Sequence, residues 1–230
     1  GDTIPPLHFQ RRAETRQPLD ACLDRGVGRR VAEAQVSLEA EGGTALAIQA
    51  DSADAGAIAL AIEQAVDRFG PLHVTVVNAG VYRGGPLEQI SLEILDELLT
   101  INVRGVLLSI QAAAARTRDG GRIITIGSNT AVRSGIVGGS AYAMTKSAVA
   151  TLARELALDL APRRITVNNI QPGPIETDIT TDILDMIVQR SPLQRVGQPE
   201  EVAALVAYLA GDEAGYMTGA NLTLDGGWVI

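Results

Sequence analysis

The chain has 230 residues, 46% of them hydrophobic and 20% charged, a balance that suits one globular domain. A formal net charge of -8 argues against a binder of phosphate backbones, whose footprint is basic, and no unbroken apolar run approaches the roughly 18 residues of a membrane span. One cysteine, Cys22, and two separated histidines, His8 and His73, leave no internal disulfide, thiolate cage or metal site, in keeping with a reducing cytoplasm. No signal-peptide apolar region opens the sequence as given. Chemistry has to come from Ser, Tyr, Lys, Asn and carboxylates.

The opening stretch, Gly1-Asp2-Thr3-Ile4-Pro5-Pro6-Leu7-His8 and on through Arg11-Arg12 to Arg25, offers no apolar run of strand length. Pro5-Pro6 argues against a central strand, because each proline removes a ladder donor. From residue 44 onward, short apolar runs alternate with helical patterns. Ala45–Ile48 is predicted as a strand. Ile58, Ile62, Val66 and Phe69 mark one helix face, ended by Gly70-Pro71. Val74–Val77 is the next strand, followed by a helical pattern over about residues 91–117 and a strand at Ile123–Ile126. Val149, Leu152, Leu156 and Leu160 mark another helix face, stopped near Pro162. A strand at Ile165–Val167, a helix through Glu200–Leu209 and a strand at Leu222–Leu224 complete the series. Most strands are apolar throughout, as strands covered on both faces are. Strand, helix, strand in succession implies right-handed crossovers and an α/β, three-layer parallel sheet with helices on both faces.

Ligands on such sheets bind beyond the carboxyl ends of the strands, and the polar and glycine-rich turns fall there. Asp51 follows the first run, Asn78-Ala79-Gly80 the second and Gly127-Ser128 the third; Pro172-Gly173 closely follows Ile170. The pair Tyr142 and Lys146 is four residues apart and therefore shares a helix face. A phenol has an ordinary pKa of about 10, and a cation about 4–6 Å away lowers it by about 1–3 units. Such a phenol can pass a proton to or from a carbonyl or alcohol oxygen.

In this order, these residues resemble the short-chain dehydrogenase/reductases, and within them the 3-oxoacyl-[acyl-carrier-protein] reductase type, from about residue 30 to Ile230. Asn78-Ala79-Gly80 matches the end of the family's Asn-Asn-Ala-Gly motif, with Val77 in place of its first asparagine. Asn102, Ser128, Tyr142 and Lys146 match its catalytic tetrad; Gln171-Pro172-Gly173-Pro174-Ile175-Glu176-Thr177 matches its cofactor turn. Thr218-Gly219 and Asp225-Gly226-Gly227 match the flanks of its last strand. The resemblance implies a single Rossmann-like domain over 1–230 and an NAD(P)-dependent oxidoreductase interconverting a ketone and a secondary alcohol. Tyr142 would be the acid/base, Lys146 would lower its pKa and bind the ribose, Ser128 would hydrogen-bond the substrate oxygen, and Asn102 would support a water-mediated proton path. The cofactor contacts implied are Asp51, Ser52, Asn78, Ala79, Gly80, Tyr142, Lys146, Pro172, Gly173, Ile175 and Thr177. Taken singly, Ser128 also reads as a turn or cap serine and Asp51 as a helix N-cap. The resemblance further implies a homotetramer through the long helices and the last strand, with Gly219-Ala220 and Trp228 as contacts, although Trp228 also reads as packing.

Residues 1–28 depart from the family, which opens with an apolar strand and a Thr-Gly-x-x-x-Gly-x-Gly loop for the pyrophosphate. Only Gly26-Val27-Gly28 is similar to part of that loop. This segment is expected not to build a pyrophosphate site, and micromolar binding of reduced cofactor would overturn that. The sheet would then lack its first two strands. Either Ala45–Ile48 pairs directly with Val74–Val77, or a partner chain fills the gap, or an altered gene start has replaced the usual one. The residue that separates NAD from NADP is not recognisable; the subgroup resembled implies NADP. The alternative function is a catalytically silent relative acting as an assembly partner. Val132, Ile136, Val137, Ile179, Ile183, Leu184 and Met186 suggest a mostly apolar substrate pocket, and Arg133 and Arg190 read as solvated or as contacts for an anionic tail.

Overall fold

The computed structural model describes residues 27–177 and 184–230. Helix α1 (Val27–Ala40) begins at the second residue of Gly26-Val27-Gly28; the rest of the atypical opening segment, and Ile179 and Ile183, lie outside the described residues. Helix α2 (Ala55–Phe69) starts where the Asp54 carboxylate accepts from the Gly56 and Ala57 N–H groups. It stops at Gly70, whose φ of 80° favours glycine. Strand β1 (Leu72–Val77) leads to α3 (Leu92–Leu99), a wider π-helical turn (Thr100–Gly105) and α4 (Val106–Arg116). Then follow β2 (Thr117–Ile126), the long helix α5 (Ser140–Leu160), β3 (Thr166–Pro172), α6 (Leu184–Arg190), α7 (Pro199–Ala210) and β4 (Asn221–Leu224).

The four strands are parallel and lie in chain order, β1-β2-β3-β4, with Val77 beside Thr125, Ile126 beside Ile170, and Asn169 beside Asn221. Alternate residues serve opposite faces, as the strand period requires. Val77, Ile123 and Val167 pack with Val106 and Ile110 of α4 and Val149, Ala153 and Ala157 of α5. Val74, Ile124 and Ile170 pack on the other side with Val202, Leu205 and Leu209 of α7. The expected three-layer parallel α/β architecture is therefore present.

One expectation is corrected. Ala45–Ile48 is not a strand: the run joins no ladder, Leu46 is exposed, and its link to α1 is the Ala47 N–H donating to the Gln35 side chain at 3.1 Å. A strand exists through its neighbour's hydrogen bonds. Among the described residues the run pairs with no strand, and direct pairing with β1, which stands first in the sheet order, does not occur. Leu92–Arg116 is long and apolar enough to cross a membrane by length and composition alone, with an 18-residue window of mean hydropathy 1.5. Scattered Thr, Asn, Ser and Gln break the apolar run in the sequence yet leave this average high. Leu98, Asn102, Val106, Ile110 and Ala113 are buried from this stretch, as in a helix laid against a sheet.

The spacing of those buried residues also accounts for the wide turn. Steps of four residues overshoot an α-helical turn by about 40° each and would spiral the stripe away from the sheet. The π-helical winding at Thr100–Gly105 takes more residues per turn and returns Asn102 and Val106 to the buried side.

Among the described residues two buried groups lack a hydrogen-bond partner, the Thr75 hydroxyl and Arg122 Nε. Thr75, on β1, is 0% exposed. Thr75→Val keeps the branched shape and removes a hydroxyl that is costly to bury unpaired. The variant is expected to unfold about 1–2 kcal/mol less readily, read as a melting temperature raised by a few degrees in a thermal scan. A lower melting temperature would show that the hydroxyl has a partner in solution.

Candidate active site

Lys146 lies on α5, one turn beyond Tyr142, so the two share a helix face as their spacing predicts. Lys146 is 5% exposed, and its ammonium donates to the Ile126 carbonyl, the last of β2, at 3.1 Å. It sits 5.7 Å from the centre of the Tyr142 ring, within reach of the ring's negative face. Burial lowers the Lys146 pKa from 10.5 to about 8.

Asn102 projects from the wide turn and is 0% exposed. Its amide pairs with the backbone of Val81 as a neighbouring strand would: Oδ1 accepts from the Val81 N–H and Nδ2 donates to the Val81 carbonyl, both at 2.8 Å. Nδ2 also donates to the Thr145 hydroxyl at 3.2 Å, which ties the turn to the residue before Lys146. At Gly80 a Cβ would stand 3.3 Å from both Asn102 Oδ1 and Lys146 Nζ, so the bare backbone of Asn78-Ala79-Gly80 borders both side chains. The same turn seats the Asp51-Ser52 loop. A Cβ at Gly105 would collide with the Ser52 carbonyl, and Arg104 donates to the Ala53 carbonyl at 2.7 Å. The helix cap is Asp54, not Asp51; Asp51 is half-buried and accepts from the Ala53 N–H at 2.9 Å.

Ser128 opens a short 3₁₀ turn, Asn129–Ala131, and its hydroxyl accepts from the Thr130 N–H at 3.2 Å and the Thr130 hydroxyl at 3.0 Å. It therefore does cap a turn. With both bonds accepted by its oxygen, its own proton is left to donate. The turn is fixed from below by a chain of side-chain bonds: Thr125 donates to Asn169, Asn169 to Asn221, and Asn221 to the Ala150 carbonyl of α5. A Cβ at Gly127 would stand 2.6 Å from Asn169 Oδ1, so only glycine fits above that chain.

After β3, the Gly173 N–H donates to the Leu224 carbonyl at 2.9 Å, and a Cβ there would strike Asp225. Ile175 forms a parallel bridge with Gly197, and Thr177 is half-buried at the edge of the described residues. Of the expected pocket residues, Val132, Ile136 and Val137 are exposed, Val137 at 95%, while Met186 is half-buried. Arg190 is not simply solvated. It lies 5.1 Å over the Trp228 ring and donates to the Gly135 carbonyl at 2.7 Å. The structure thus gathers Gly80, Asn102, Tyr142 and Lys146 at the ends of β1 and β2, with Ser128 two residues past the carbonyl that holds Lys146.

Residues 24–229 match the family described as enoyl-(acyl carrier protein) reductase. A cyclic-di-GMP-binding biofilm dispersal mediator protein of Escherichia coli is 42% identical over 185 residues, 79% of this chain and 76% of that protein. The chain belongs to the short-chain dehydrogenase/reductase family. A solved short-chain dehydrogenase/reductase from Serratia marcescens is 47% identical, with a TM-score of 0.85 over 88% of this chain and 84% of the other. A short-chain dehydrogenase from Burkholderia cenocepacia, solved in complex with NADP, is 39% identical, with a TM-score of 0.85 over 90% and 85%.

Sequence reasoning on this short-chain dehydrogenase/reductase passed over Tyr82, Thr145 and Asn169. The Tyr82 ring meets the Tyr142 ring edge-on, 5.0 Å between centres at 72°. No local signal marks it, although its place just past Asn78-Ala79-Gly80 did put it at a strand end.

Holding the ammonium inside this fold costs about 3 kcal/mol, judged from its lowered pKa. Below pH 8 both folded and unfolded chains carry the proton and the cost is fully present. Between about pH 8 and 10.5 the folded chain loses it first, so the cost is relieved as pH rises. Lys146→Met, which gives up the bond to Ile126 but no longer buries a charge, is expected to be about 1–2 kcal/mol more stable than the natural chain at pH 7. Urea unfolding at pH 7 and pH 9.5 should show that advantage shrinking at the higher pH; an advantage that grows would refute the assignment.

Proposed function

We propose that this protein interconverts a ketone and a secondary alcohol using NADP(H), with Tyr142 as the general acid/base. The observation that carries the reading is the buried Lys146 ammonium, held at the end of β2 with the Tyr142 ring 5.7 Å away. Membership of an oxidoreductase family and the relatives solved with NADP and NADPH support it.

The described residues fit the ribose of a dinucleotide. Lys146 is a buried cation with three N–H donors and, among the described residues, one hydrogen bond to a carbonyl, so donors remain for ribose hydroxyls. Gly80 keeps the neighbouring backbone bare where any Cβ would crowd Lys146 and Asn102. Asp51 and Ser52 would meet the adenine end, Asn78 and Ala79 would border the ribose, and Pro172, Gly173, Ile175 and Thr177 would face the nicotinamide and phosphates. When bound, the cofactor supplies or accepts the hydride. The Ser128 hydroxyl would donate to the substrate oxygen as negative charge grows there, and the Tyr142 hydroxyl would give that oxygen its proton, or take it back in the reverse direction. Lys146 would hold the phenol's charge in check, and Asn102, tied to Thr145, would keep the wide turn against the site. The exposed Val132, Ile136 and Val137 with Met186 favour apolar ketones.

We assign the protein to the cytoplasm and to a homotetramer built on its long helices, a reading supported by its single cysteine and by the exposed Leu107 and Leu158. The test is loss of NADPH absorbance with a panel of apolar ketones. Turnover is expected, with Tyr142→Phe reducing kcat at least about 100-fold. In the reductive direction kcat/KM should fall as pH rises past about 8, where Lys146 loses its charge. No turnover and no cofactor binding would favour the silent assembly partner, and full activity of Tyr142→Phe would remove the role given to that phenol.

A further inference from the structure

The chain between Ser128 and Tyr142 carries exposed apolar side chains, and little apolar burial of its own holds it. Val132, Arg133, Ile136 and Val137 are all exposed. Its position depends on polar anchors supplied by two distant segments. Asp225, just after β4, accepts from Asn129 Nδ2 at 3.2 Å, at the start of the loop. The same carboxylate accepts from the Gly227 and Val229 N–H groups at 2.9 and 3.1 Å, folding the following residues into a tight turn that presents Trp228. The indole N–H of Trp228 donates to the Ser134 carbonyl at 3.4 Å. Arg190, the last residue of α6, stacks on that indole and donates to the next carbonyl, Gly135. Gly135 has a φ of 65°, and a Cβ there would stand 3.6 Å from the guanidinium and 3.8 Å from the indole nitrogen. The far end of the loop is tied at Gly138, whose carbonyl accepts from the Gly85 N–H at 3.0 Å, next to the loop that bears Tyr82.

We propose that Arg190 and Trp228 form a clamp on the Ser134 and Gly135 carbonyls that positions the loop between Ser128 and Tyr142 and so sets the affinity for the carbonyl substrate. Both are positioning residues. The proposal rests on the assignment of Ser128 and Tyr142 above for its kinetic arm only. Successive carbonyls are gripped by a planar cation and the ring beneath it, and a planar guanidinium both stacks and donates in a way a lysine matches only in part. Arg190 forms no ion pair among the described residues, so its charge is not committed to a carboxylate.

Trp228 is the chain's single tryptophan, so intrinsic fluorescence reads the clamp directly, whether or not the protein turns anything over. The experiment compares the natural chain with Arg190→Ala, Arg190→Lys and Arg190→Met. Arg190→Ala is expected to raise acrylamide quenching of Trp228 about twofold and the ketone KM about tenfold, with kcat and the NADPH KM within about threefold of the natural values. Arg190→Lys should recover part of both changes, because it restores a cation over the ring but not the planar fork. Arg190→Met, which keeps the stem, stands in if Arg190→Ala does not fold. Unchanged quenching in the alanine and methionine variants would overturn the clamp. So would equal losses in ketone KM, cofactor KM and kcat that lysine does not rescue, since those mark general destabilisation. Failure of the functional reading looks different: no turnover by the natural chain while the quenching difference persists.

Discussion

A charged amine removed from water is the constraint around which this site is organised. An ion of that size loses several kcal/mol of hydration when buried, so it stays protonated only where carbonyls and π-electrons replace part of its water. Lys146 has the Ile126 carbonyl and the face of Tyr142 for that purpose. Because the carbonyl belongs to the end of β2 and the ring to the start of α5, the charge fixes the distance between a strand end and a helix start. Gly80, just past β1, borders the same nitrogen, leaving little room there for a Cβ. Three elements are thereby referenced to one point.

The sheet edge of the site is stiffened by polar rather than apolar packing. Thr125, Asn169 and Asn221 form an unbroken donor-to-acceptor chain that ends on α5. A fully satisfied buried network has directional preferences that aliphatic packing lacks, and it allows one arrangement where a greasy core tolerates several. Gly127 resting on Asn169 carries that fixity upward to Ser128.

Most of the layer order was readable from the apolar runs, and the strand-end turns fell where ligands bind on such sheets. What escaped did so for identifiable reasons. Ala45–Ile48 has the composition of a strand, but pairing is a property of two chains and composition describes one. The third strand was cut short at Val167 because Asn168, Asn169 and Gln171 are polar; they are nonetheless buried, since their amides find partners on Met217, Asn221 and Thr223. On α5 the leucines drew attention to Leu152, Leu156 and Leu160, whereas the deepest row is Val149, Ala153 and Ala157. Small side chains there let the helix approach the sheet closely, and alanine is a quiet signal in a hydrophobicity pattern. The match of Asn102 to the family's motif located it, but its pairing with Val81 depends on a winding irregularity that no propensity scale reports.

That irregularity makes the count of residues along α3–α4 matter as much as their kind. Each residue in a regular helix advances the direction of its neighbours by about 100°. Removing one from Thr100–Gly105 would let the winding relax to the ordinary form, and would swing Leu98 and everything before it around the axis relative to Val106 and everything after. The Asn102 amide would then face away from Val81, and the seat that Gly105 gives Ser52 would turn with it. Side-chain exchanges within this stretch leave that phase untouched; an insertion or deletion cannot.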